Sequence, residues 1–312
     1  MNASSILQNP RVSIKMNRRN ALLLAATGLA GCITKNKLDS GFVDAHSHIW
    51  TTDIKRFPLR KGVKTEDLNP SKFTAEDLIR IGLTQNVTRH ILISHGPYHG
   101  YNNDYYIHAA SKHPGVFAIV GAMNPGLEHI PDHMRANRKL GITGYRIKPN
   151  NDKNWLQSDP MKAMWKTGAA ENIAMCPLID PKHVADLAPM CNQYRDTTVV
   201  IDHCARIQSQ HKEELTQLCT LAKLPNVYVK ISAFYAFGAK KPPYSEQIPR
   251  IKQLFESFGP EKLMWGSDCP YQLENGNTYE ASISLVRERL NFISDTDKEW
   301  MLGKTAQKVF FS

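Results

Sequence analysis

Phe42-Val43-Asp44-Ala45-His46-Ser47-His48-Ile49-Trp50 is a short, largely apolar run that ends in two histidines one residue apart. Side chains alternate across a strand, so His46 and His48 project from one face and can offer two imidazole nitrogens to a single ion or substrate. By the same count Asp44 shares their face but lies deeper. There it would orient a histidine or make a buried hydrogen bond.

Seven further β-rich runs follow, at residues 90–94, 117–123, 142–148, 173–179, 198–203, 226–232 and 262–267, with helical stretches between them. Strands alternating with helices are the pattern of parallel β/α units, and eight of them predict a closed (β/α)8 TIM barrel. The chain has 312 residues and 42% apolar content. That accommodates one such domain, which commonly takes about 250 residues, and residues 42–312 are assigned to it. Helix starts are marked by Thr74-Ala75-Glu76-Asp77, which reads as a capping box. Asp159-Pro160 and Asp180-Pro181 each place an aspartate N-cap before a first-turn proline. A doubly wound open sheet is the main alternative, but no glycine-rich phosphate loop follows the first strand.

The chain's first 31 residues have a different composition. They contain Arg11, Lys15, Arg18 and Arg19 and no acidic residue, and an apolar run from Ala21 to Ala30 leads to Gly31-Cys32. A cationic segment before a short apolar stretch is an export signal, too short to span a bilayer. The paired arginines resemble a twin-arginine signal, although its usual serine and phenylalanine are missing. Leu29-Ala30-Gly31-Cys32 resembles a bacterial lipobox, which would make Cys32 the lipidated first residue. Ordinary signal cleavage or a buried N-terminal helix are the plainer readings. Translation could equally begin at Met16, just ahead of the arginines. Residues 32–41 would form a polar tether to the barrel, of which 33–41 reach at most ~30 Å. The expected location is therefore the periplasm or cell envelope, with membrane contact only through the lipid.

Loss of residues 1–31 removes four cations and leaves 35 basic against 29 acidic residues, a net charge of +6. The cations are scattered and no nucleic-acid motif appears, which points to a small-molecule partner and not to nucleic acid. Besides Cys32 the cysteines are Cys176, Cys191, Cys204, Cys219 and Cys269; none forms C-x-x-C, and an odd number argues against a disulfide framework. Cys204 and Cys269 stand next to His203 and Asp268, and strand alternation would turn them outward to the helices.

Barrel enzymes carry their chemistry where strands end. Strand 6 ends in Asp202-His203 and strand 8 in Trp265-Gly266-Ser267-Asp268-Cys269-Pro270. Together with His46 and His48 they bring three histidines and an aspartate to one mouth. The strand-1 Asp-Ala-His-Ser-His, the stretch from Asn103-Asp104-Tyr105 to Lys112-His113-Pro114, the strand-6 Asp-His, the strand-8 Trp-Gly-Ser-Asp-x-Pro and the closing Gly303-Lys304-Thr305-Ala306-Gln307-Lys308-Val309-Phe310 resemble the amidohydrolase superfamily. Within it they are similar to the amidohydrolase-related branch of lactonases and decarboxylases. Many members add a metal-binding histidine on strand 5, but here residues 173–180 contain none, and a two-metal site is not expected.

The resemblance implies hydrolysis of a lactone, or of a related ester or amide, in a small acidic or sugar-derived substrate. His46, His48, His203 and Asp268 would hold one divalent ion, Zn2+ by donor type, or act as bare acid and base groups. Asp268 and His203 would be catalytic, with Asp268 taking the proton of the attacking water. Arg146 and Lys148, two residues apart on strand 4, would hold a carboxylate or oxyanion, or bridge the mouth as ion pairs. His95 opens a polar aromatic loop, His95 to Tyr101, that would contact substrate. Arg206 and Lys230 are either anion contacts or ion-pair partners, and Trp265 reads as core. The rival functions are metal-dependent decarboxylation on the same scaffold and a lipid-anchored binding protein without chemistry.

Overall fold

Eight parallel strands lie in the order β1 to β8, each hydrogen-bonded to the next: β1 (Phe42–Ser47), β2 (Val87–Ile93), β3 (Phe117–Gly121), β4 (Ile142–Ile147), β5 (Ala174–Pro177), β6 (Val199–Ile201), β7 (Val227–Ser232) and β8 (Leu263–Gly266). In this computed structural model residue 38 and residues 40–150 and 152–312 are described. The segment expected to direct export, Cys32 and nearly all of the expected tether lie outside those residues. The eight strands coincide with the eight runs expected from sequence, most of them trimmed by a residue or more at their ends, while β2 begins three residues earlier than expected. The ring is drawn shut by a parallel bridge from Ser47 to Cys269, by His48 N donating to Cys269 O at 2.7 Å and by Asp268 N donating to His46 O at 2.7 Å.

Helices alternate with the strands on the outside, beginning with Ala75–Leu83, Asp104–Lys112, Ile130–Lys139 and Asp159–Glu171. Thr74 and Asp77 form the expected capping box, each side chain accepting the other's backbone N–H. The helix at Asp159 starts one residue earlier than the Asp-Pro signal suggests. Ser158 is its N-cap, accepting from Met161 N, because a serine hydroxyl there reaches the first-turn amides. Asp180 does precede a turn at Pro181, but its carboxylate makes no cap and pairs instead with Arg206 at 3.0 Å.

The barrel interior is apolar over most of its height. Val43, Ala45, Ile91, Ile93, Ala118, Val120, Ala174, Cys176, Val200 and Met264 pack together, joined by Ala306 and Phe310 from the C-terminal helix Thr305–Phe310. Each large aliphatic side chain removed from water in this way contributes roughly 1.5–3 kcal/mol. Trp265 is fully buried, as expected, and its Nε1 donates to Ser282 Oγ in the helix layer.

β1 departs from simple alternation. Asp44 pairs with His90 and Ser47 with Leu92, so three steps along β1 match two along β2. One extra residue, a β-bulge, sits between them. It leaves Asp44 facing the helices, where Ser267 Oγ at 2.6 Å and Tyr279 Oη at 3.0 Å donate to its carboxylate. His46 and His48 face the interior. The shared face expected for Asp44 and His46 is thus corrected: the bulge shifts the phase, and Asp44 is a buried fastener between β1, β8 and the outer layer.

Candidate active site

His46 is completely buried, with Nδ1 3.2 Å from Asp202 Oδ1 and Nε2 2.8 Å from Arg146 Nη2. Nε2 accepts from a guanidinium, so the proton of the neutral ring sits on Nδ1, which lies between Asp202 Oδ1 and, at 3.5 Å, Lys230 Nζ. Glycine at 266 is required beside it, because a Cβ there would lie 2.7 Å from His46 Cβ. His48 Nδ1 donates to Ile93 O at 2.7 Å, which turns the Nε2 lone pair toward Asp268 Oδ1 at 3.2 Å.

Asp202 and His203 are sequence neighbours, yet both face the mouth. β6 ends at Ile201, and His203, Cys204 and Ala205 have φ of +51°, +51° and +54°, a left-handed turn that abolishes alternation. Cys204 and Cys269 are fully buried, as expected, but they lie beyond the strand ends, and the turns set their direction. Asp202 is the hub beneath the site. Lys230 Nζ is 3.0 Å from Oδ1 and Arg146 Nη2 is 3.2 Å from Oδ2. Burial alone would raise its pKa, but Lys230, His46 and Arg146 outweigh it and hold the carboxyl well below the usual carboxylate range.

Asp268, with φ of +65°, carries its carboxylate back over the barrel axis. Tyr235 Oη donates to Oδ2 at 2.8 Å, and Oδ1 accepts no hydrogen bond among the described residues. Its pKa too is lowered: burial opposes the shift, and His203, His48 and His46 override it. Burial lowers His203 to about 4, against the pull of Asp268 and Asp202. It also pushes His46 well below its ordinary value. His46 and His203 are therefore neutral near pH 7, and Asp202 and Asp268 are ionised.

His46 Nε2, His48 Nε2 and Asp268 Oδ1 lie within 4.8 Å of one another. All three are buried acceptor atoms, and Oδ1 has no donor. Such a group fits a divalent ion. His203 stands at the same mouth but outside this group, with Nδ1 on Ser232 Oγ at 2.8 Å and Nε2 3.9 Å from Asp268 Oδ2. Of the four expected ligands, His46, His48 and Asp268 converge on one point, and His203 stands beside them. β4 ends at Ile147, and Lys148 is exposed one residue beyond it, whereas Arg146 joins the buried cluster.

His95 is buried beside the three-atom group, its ring 5.1 Å from that of His48. Tyr271 Oη lies 2.7 Å from its Nε2, while Nδ1 has no partner among the described residues. Burial, with help from the neighbouring His48 and Arg146, lowers it to about 2. Trp50, Tyr98 and Tyr271 complete an aromatic wall around it, with Tyr98 4.3 Å from His95 between ring centres.

The sequence agrees with this geometry. A family model described as amidohydrolase matches residues 43–311. The chain belongs to the amidohydrolase family. An L-fucono-1,5-lactonase from Burkholderia ambifaria is 26% identical over 237 residues, covering 73% of this chain and 80% of the relative. A 4-sulfomuconolactone hydrolase from Hydrogenophaga intermedia is 21% identical over 236 residues, covering 74% and 75%. Among solved structures, a probable 2-pyrone-4,6-dicarboxylic acid hydrolase from Acinetobacter baumannii with citric acid bound has a TM-score of 0.74 at 20% identity, covering 87% of this chain and all of that one.

Three residues at the site of this amidohydrolase are not marked by the sequence. Alternation assigns the neighbour of an inward histidine to the outside, and only a left-handed turn brings Asp202 in. Tyr235 and Tyr271 sit in loops after β7 and β8, where no periodic pattern marks them. Lys230 and Arg206 resolve as ion-pair partners, of Asp202 and Asp180 respectively.

Proposed function

We propose that this hydrolase opens the ring of an uncharged sugar-acid lactone. The observation that carries the reading is the convergence of His46, His48 and Asp268, whose buried carboxylate has a donor on Oδ2 and none on Oδ1. Asp268 takes a proton from the attacking water as oxygen adds to the lactone carbonyl. Arg146 supplies positive charge to the developing oxyanion. As the ring C–O bond breaks, Asp268 returns the proton to the leaving oxygen, and the product is an open-chain hydroxy acid. Because neighbouring imidazoles hold the Asp268 pKa down, it is a weak base and needs an acidified water. A divalent ion bound by His46, His48 and Asp268 would supply that, lowering the pKa of water from 15.7 towards about 7. Two imidazoles and a carboxylate suit zinc.

The uncharged substrate follows from the cations at the mouth. Arg146 is paired with Asp202 and Arg206 with Asp180, and Lys148 is exposed beyond the strand end. An anion could reach Arg146 only by displacing Asp202. A polyhydroxylated ring finds hydroxyls and an imidazole on Tyr98, Tyr235, Tyr271 and His95, as the name of the B. ambifaria relative also suggests. The test is acid release from aldonolactones beside a pyrone dicarboxylate lactone, aryl esters and a decarboxylation assay. Fastest turnover of uncharged lactones is expected; no acid release from any lactone, or preference for the dicarboxylate, defeats the reading. Zinc is checked by loss of activity on chelation and its return on adding zinc.

The composition of residues 1–31 supports export and lipid attachment at Cys32. Labelled fatty acid should be incorporated in a bacterial host and lost in Cys32→Ser.

A further inference from the structure

The three atoms that converge at the mouth are not equally available. His48 Nε2 and Asp268 Oδ1 have open lone pairs, whereas His46 Nε2 already accepts a hydrogen bond from Arg146 Nη2 at 2.8 Å. The same Nη2 lies 3.2 Å from Asp202 Oδ2. One guanidinium nitrogen therefore bridges the imidazole and the carboxylate below it. Arginine keeps its charge under all conditions relevant to the protein. A divalent ion on Nε2 would need the same lone pair and would meet that charge where little water screens it.

We propose that Arg146 is a resident cation that competes with the metal ion for Nε2 of His46, so that the ion enters only as the guanidinium withdraws onto Asp202. The proposal rests on the three-atom group being a metal site. Two observations say that withdrawal has somewhere to go. Asp202 Oδ2 already accepts from Arg146 Nη2, and Oδ1, within ion-pair distance of Lys230 and His46 Nδ1, accepts no hydrogen bond among the described residues. Arg146 Nε is buried with no partner among the described residues, so the seat of the guanidinium is incomplete as it stands. Its side chain is 13% exposed, against 0% for His46, Asp202 and Lys230, which leaves it alone among the four with open space beside it.

The consequence is opposite in sign to the usual effect of trimming a binding site. Neutral replacements of Arg146 should tighten metal binding. Zinc affinity is measured on chelator-stripped protein by competition with a chromophoric chelator, which needs no turnover. Arg146→Gln and, as a second variant of different shape, Arg146→Met are each expected to bind zinc at least tenfold more tightly than the wild type. His46→Ala should bind more weakly, and Arg146→Gln in that background should recover little of the gain. Equal or weaker zinc binding by both Arg146 variants, or a gain that persists in full without His46, overturns the proposal. Absence of zinc binding by all of these proteins overturns it together with the metal site. The lactone reading is decided separately by hydrolysis with the wild-type enzyme.

Discussion

The floor and the mouth of this barrel are built from the same eight strands on opposite terms. At the floor the C-terminal helix inserts Phe310 and Ala306 among valine, isoleucine and alanine side chains. At the mouth His46, Asp202, Lys230 and Asp268 are each buried, at no more than 5% exposure, and Arg146 and His203 press against them. Buried charges are tolerated only when paired. Lys230 marks the boundary: its Nζ lies 5.6 Å from the centre of the Phe310 ring and 3.0 Å from Asp202 Oδ1. The floor makes the barrel stable; the mouth draws on that stability to keep ionised groups out of water.

The sharpest way to test that division is Asp268→Asn. Turnover should fall on the order of 10³-fold or more, the range of a lost acid–base group, with the melting temperature nearly unchanged. A large loss of stability would mean that the mouth also holds the fold. Lys230→Met comes next, because it removes one cation from Asp202 at the boundary. Breaking a buried pair costs about 3–5 kcal/mol, and both denaturant midpoint and turnover should drop. Phe310→Ala should cost about 3 kcal/mol through its cavity and leave the kcat of the folded enzyme within about twofold. A large kcat effect would show that floor and mouth are coupled through Lys230.

The smallest effect concerns pH. Burial lowers the pKa of His99, which lies outside the charged cluster, from 6.5 to about 4, against the pull of the Pro58 carbonyl. The unfolded chain thus takes up a proton at this residue below pH 6.5 that the folded chain refuses until about pH 4. The contribution is whole above that window and is lost as pH falls through it, at most about 1.4 kcal/mol per unit. His95 and His203 shift in the same direction. Thermal melts should therefore weaken on acidification below pH 6.5, and His99→Gln should make the slope shallower. An unchanged slope would mean that His99 titrates normally in the fold.

The barrel was legible in the sequence because eight apolar runs with helix starts between them leave few other topologies. His46, His48, His203 and Asp268 were legible because they end those runs. What escaped was set by backbone that breaks a period: the bulge that separates Asp44 from His46, the left-handed turn that swings Asp202 and His203 together, and the strand end that leaves Lys148 outside. Tyr235 escaped for a different reason. Its role depends on contact across loops that share no local pattern.

The extra residue in β1 has a consequence for how such an enzyme can be altered. Because it uncouples the phase of the strand's root from that of its tip, the contacts of Asp44 with the outer layer and the placement of His46 answer to different constraints. Reaction-centre groups can then be exchanged at the rim while the wall beneath keeps its seams, so one scaffold can be refitted for new chemistry without being rebuilt.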